Sequence, residues 1–155
     1  RRELQDNLAR MVFREVIRPP LWVLAFIYFL FLSLVIAIWA ALDNRSALIS
    51  WIAATLGIIA IAIRWRTEIT VDDKELRIGG AHIELRYLKE VSVLSAQEMR
   101  LMRTRDADPA AFLALAFWIP AGVKIVLNDD RDSVPYWLIS VRKSEELTRT
   151  LYRLI

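Results

Sequence analysis

The sequence predicts a membrane protein with an α-helical transmembrane hairpin followed by a small α+β domain, mainly antiparallel β with a C-terminal helix. Three observations carry this expectation. Residues 19–63 hold two long apolar runs with only Asp43 and Arg45 as charges, and residues 64–155 mix acids and bases almost evenly. After Trp65 the hydrophobic period changes from helical to alternating. A chain of 155 residues leaves room for one folded domain of roughly 90 residues beside such a hairpin, not for two of about 100.

Residues 1–18, "RRELQDNLARMVFREVIR", place Leu4, Leu8, Met11, Val12 and Val16 at helical spacing between charged residues, which predicts an amphipathic N-terminal helix. Two settings suit it: the headgroup layer of an anionic membrane, or the surface of the folded domain. "PPLWVLAFIYFLFLSLVIAIWAAL", 19–42, carries no charge over about 24 residues, enough to cross a hydrocarbon core of roughly 30 Å. "SALISWIAATLGIIAIAI", 46–63, is a second span at the short end of the range. The intervening "DNR" forces the two to be antiparallel neighbours. Arg10, Arg14 and Arg18 precede the hairpin and Arg64 and Arg66 follow it, against Arg45 alone in the turn. The positive-inside rule therefore places both termini in the cytoplasm and the protein in the plasma membrane as a two-pass chain.

The third region, 64–155, is the cytosolic domain. Ile69 and Val71, Leu76 and Ile78, then Ile83 and Leu85 alternate, separated by turn signals at Asp72-Asp73 and Gly79-Gly80. A further strand is expected around Val91 and Val93, then one or two helical turns with a start signal at Pro109. A hairpin follows, Val123 to Leu127 and Tyr136 to Val141, joined by an acidic turn. Ser144 stands where it would cap a final helix whose apolar stripe is Leu147, Leu151 and Leu154 or Ile155.

Composition excludes more chemistry than it suggests. Lys and Arg total 21 against 18 Asp and Glu, for a net charge of +3, with no basic stripe of the kind nucleic acid needs. Absence of cysteine rules out disulfides, thiolate metal sites and cysteine nucleophiles. His82 is the one histidine and reads as a turn residue, since zinc seldom takes an all-carboxylate partner set. Asp129, Asp130 and Asp132 lack the alternate spacing, central glycine and distal glutamate of a calcium loop. No catalytic residue, cofactor site, metal site or small-molecule substrate is therefore nominated. The polar residues that stand out are Arg100, Arg103 and Arg105, with Arg14 and Arg18 before the first span, as contacts for anionic lipid or an acidic partner.

The stretches "ELRIGGAHIELRYLKEV", "DADPAAFLALAFWIPAGVKIVL" and "PYWLISVRKSEEL" resemble an actinobacterial family of small two-pass membrane proteins known as a domain of unknown function. The likeness covers nearly the whole chain from Arg14. "LAFWIP" and "RKSEE" depart from the family pattern, which has a basic residue before the tryptophan and a proline in place of Ser144. The resemblance implies a bacterial pleckstrin-homology-like cytosolic domain, and it carries no activity. The expected function is that of a non-catalytic membrane adaptor or accessory subunit of a larger complex, such as a respiratory, transport or cell-envelope assembly, with other integral membrane proteins as partners. The alternative is a membrane-tethered module for a lipid headgroup or a peptide.

Overall fold

A computed structural model describes residues 2, 3, 5 and 11–155 of the chain. It divides into two compact units, residues 18–67 and residues 1–17 with 68–155.

The smaller unit is a pair of helices, α1 (Leu21–Ala41) and α2 (Asn44–Arg64). Each has 21 residues, about 32 Å at 1.5 Å per residue. Both are long and apolar enough to cross a membrane. α2 starts two residues earlier than its apolar run because Asp43 caps it, accepting from the Ser46 backbone N–H at 3.0 Å. Between the helices the Tyr28 hydroxyl lies 3.3 Å from the Thr55 hydroxyl and accepts from Trp51 Nε1 at 3.1 Å. These bonds tie the two helices to each other. Large side chains such as Phe26, Phe29, Leu34, Ile52 and Leu56 stay exposed on its outside.

The larger unit contains two four-stranded sheets. The first runs β1 (Phe13–Ile17), β2 (Thr67–Val71), β3 (Glu75–Ile78), β4 (Ala81–Glu84) in spatial order. Gly79, at φ 58°, makes the tight β3–β4 turn and donates its N–H to Glu68 O at 2.9 Å. A 3-10 turn at Leu85–Tyr87 leads to the second sheet, β5 (Leu88–Leu94), β7 (Gly122–Leu127), β8 (Tyr136–Ser140), β6 (Phe112–Ala114) in spatial order. β7 is antiparallel to both neighbours, while β6 joins β8 in parallel. Alternation sorts the faces: Phe13, Ile17, Ile69, Val71, Leu76 and Ile78 meet Val91, Val123, Ile125, Trp137 and Ile139 in one core. Helix α4 (Ser144–Leu154) closes it with Leu147 and Leu151, both fully buried. On the other face of β8, Tyr136 and Leu138 lie with Met99 of helix α3 (Ala96–Arg103).

Three expectations are corrected. Residues 13–17 are a strand and not the end of an amphipathic helix, because Phe13, Glu15 and Ile17 turn inward with period two and the chain pairs with β2. Arg2, Glu3 and Gln5 are helical, and the remainder of that expected helix, residues 1, 4 and 6–10, lies outside the described residues. Pro109 starts no helix. The chain after α3 forms a turn and the short strand β6, whose Phe112 packs against Trp137 with ring centroids 4.7 Å apart. Ser144 is the first residue of α4, one position too late to cap it, and the N-cap residue is Lys143, with no side-chain cap.

Candidate functional site

Helix α3 is fixed at its start by a reciprocal capping box. Ser95 Oγ accepts from the Glu98 N–H at 3.3 Å, and a Glu98 carboxylate oxygen accepts from the Ser95 N–H at 2.8 Å. Met99 anchors it beneath, so Arg100 and Arg103 turn to solvent one helical turn apart. Arg103 Nε donates back to Met99 O at 3.3 Å, and Arg105 is partly neutralised by Asp106 at 3.4 Å. Arg100 makes no ion pair with a described residue. Arg14 lies on β1, paired across the sheet with Glu68 at 2.7 Å. Arg18 is exposed just beyond that strand. The five arginines therefore fall into two groups, Arg100, Arg103 and Arg105 on and just after α3, and Arg14 and Arg18 on and just after β1.

A cavity of about 490 Å³ opens at the other end of β2 from its junction with α2. Leu85, Leu88, Leu154 and Ile155 give it an apolar floor, and Asp73, Lys74, Glu84 and Arg86 a charged rim. Arg86 is engaged by Glu84 at 2.7 Å and lies 4.8 Å from the centre of the Tyr87 ring. Arg131 reaches the same tyrosine, bonding its hydroxyl, and its guanidinium pKa is raised chiefly by the hydrogen bond to Asp129. Sequence reasoning missed this cavity because its walls come from the β2–β3 turn, the 3-10 turn and the end of α4, which no local pattern links.

His82 is exposed on the edge strand β4 opposite Arg77. Carboxylates of the acidic turn shape their own loop: Asp129 accepts from the Arg131 N–H at 3.0 Å and Asp132 from the Val134 N–H at 3.0 Å.

One buried charge had no counterpart in the sequence reading. Glu15 on β1 is 8% exposed, and its two carboxylate oxygens accept from the backbone N–H groups of Arg142 and Lys143, each at 3.3 Å. Those groups belong to the two residues before α4, so the carboxylate satisfies buried donors at the corner that leads into the helix. β1 is thereby fastened to the corner "SVRKS".

The profile of the family described as "Protein of unknown function (DUF3093)" matches residues 12–151. The chain belongs to that family. The matched stretch opens at Val12, whose N–H bonds Val71 O at 2.8 Å, and closes at Leu151 in the core. The DUF3093 unit thus takes in β1, both long helices, both sheets and most of α4. It also contains the motifs on which the resemblance rested. No curated protein and no solved structure matches the chain.

Proposed function

We propose that this DUF3093 protein is a non-catalytic adaptor or accessory subunit, anchored in the plasma membrane by α1 and α2 and working by contact. The observation that carries this reading is the exposed apolar surface of the helix pair. Its polar side chains Tyr28, Trp51 and Thr55 bond one another across the pair, while Phe26, Phe29, Leu34, Ile52 and Leu56 are exposed for lipid or for helices of other membrane proteins. In this reading 18–67 crosses twice. Strands β1 and β2 are neighbours in one sheet, so the chain that leaves at Ile17 and returns at Thr67 makes an even number of crossings. Arginine asymmetry puts both termini in the cytoplasm. The two-sheet unit closed by α4 is read as pleckstrin-homology-like.

A second reading, a membrane-tethered binding module, is favoured by the cavity beside Lys74 and Arg86. Its apolar floor of Leu85, Leu88, Leu154 and Ile155 under a rim of both charge signs suits a peptide with apolar side chains. The two readings separate in one experiment: copurification in mild detergent from cells at native expression. The adaptor reading expects stoichiometric integral membrane proteins. Recovery of the chain alone, together with saturable peptide binding lost in Lys74→Glu, would reject it in favour of the module.

A further inference from the structure

We propose that β1 makes closure of the folded unit conditional on insertion of both long helices, so that the two-sheet core acts as a lock on membrane topology. The inference rests on the two-span reading of 18–67 but not on the adaptor role. β1 is made before the hairpin, and its partner β2 only after it. The strand is not a decoration on the sheet. Phe13 and Ile17, each 4% exposed, belong to the main core, Val12 bonds Val71, and Glu15 holds the entry to α4 through Arg142 and Lys143.

If only one helix crosses, residues 11–17 and 67–155 are left on opposite sides of the bilayer. Bringing β1 back through hydrocarbon would desolvate Arg14, Glu15 and Arg18, which is prohibitive on the timescale of folding. The stranded remainder then has β2 as an open edge, with unpaired backbone groups that invite proteolysis or aggregation. Its core lacks two large side chains, and the N–H groups of Arg142 and Lys143 before α4 lose their acceptor. Correct insertion brings the two strands to the same side, and the core closes.

The test uses the chain in membrane vesicles, with limited trypsin digestion reporting a resistant fragment from the two-sheet unit. Deleting 46–63 should abolish resistance. Fusing a second copy of residues 11–18 after Ile155 by a short flexible linker should restore it. The geometry permits this, because Ile155 shares a cavity with Asp73 and Lys74, next to the Val71 that receives Val12. In the undeleted chain, Phe13→Asp should also lose resistance. Loss followed by rescue supports the lock. Resistance that survives the deletion, or a loss that the fused copy does not repair, overturns it. Impermeant labelling of cysteines placed at Arg18 and Asp130 of the otherwise unaltered chain tests the two-span reading separately, since sites on opposite sides there would refute that reading itself.

Discussion

Helix α1 buries one residue of its 21, Val23, whereas all five residues of β8 are buried. Both stretches are strongly apolar. In β8, Trp137 and Ile139 face the main core while Tyr136 and Leu138 face Met99, so a central strand covered on both sides loses its polar alternation. In α1 there is no alternation: one side meets α2 through Tyr28 and Phe31, and large apolar side chains such as Phe26, Phe29 and Leu34 are exposed on the rest. What separates the two regions is where their polar groups go. The hairpin satisfies a few hydroxyl and indole groups between its helices. The folded unit spends a buried carboxylate, Glu15, to close a corner.

The largest break in this comparison is a charge placed in the folded core. Leu147→Asp or Leu151→Asp buries a carboxylate with no partner, and a loss of about 3–5 kcal/mol is expected, read as a lowered denaturation midpoint of the full chain in detergent. An unchanged midpoint would make α4 peripheral. One substitution made in both regions sharpens the contrast. At Gly122 a Cβ would run into Ile139 O and come within 2.6 Å of Met99 Cε, whereas at Gly57 it would meet Phe31 at an ordinary 3.5 Å. Gly122→Ala should cost about 1–3 kcal/mol. Gly57→Ala should be neutral or stabilise α2 by up to about 1 kcal/mol, as Ala does over Gly in a helix. Disturbing the helix pair at Gly57 needs a larger residue such as Leu.

Glu15→Ala comes next, at about 1–2 kcal/mol, because two N–H groups lose their acceptor; Glu15→Gln keeps one acceptor and should lose less. Removing the exposed Arg14–Glu68 pair should cost under about 1 kcal/mol. Hydrogen exchange at Arg142 and Lys143 separates the two: faster in Glu15→Ala, unchanged in Arg14→Ala. The smallest effect belongs to the hairpin turn. The Asp43 carboxyl is held below the ordinary carboxylate range by hydrogen bonds from the Ser46 side chain and backbone. A depressed folded value adds stability at neutral pH that is lost as pH falls through it, below about pH 4. Asp43→Asn should remove that acid dependence of hairpin unfolding while keeping the cap.

Much of the architecture is legible in local patterns. The two charge-free runs, the alternation through Ile69 to Ile83, the β7–β8 hairpin and the stripe of α4 each declare themselves within a few residues. What escapes is non-local. "FREVI" satisfies a helical period with Val12 and Val16 and a strand period with Phe13, Glu15 and Ile17, and only β2, on the far side of the hairpin, decides between them. β6 is three residues long and pairs in parallel with a strand that follows it in the chain, so no hairpin signal announces it. Ser144 has the chemistry of a cap but falls inside α4 as its first residue, and the carboxylate that holds the corner before the helix, Glu15, comes from another sheet. The arginines of α3 were visible as a cluster. The Glu15 corner and the cavity beside Lys74 were not, since their parts come together only when the chain folds.

The central claim is that one folded unit is built from both sides of a two-span hairpin, and single-cysteine labelling tests it most directly. The chain has no cysteine of its own, and Arg18, Asn44 and Asp130 are all exposed. With an impermeant thiol reagent on intact cells, Asn44→Cys should label, while Arg18→Cys and Asp130→Cys should label only after permeabilisation. Labelling that separates position 18 from position 130 would contradict the account, because β1 and the rest of its sheet would then lie on opposite sides of the membrane.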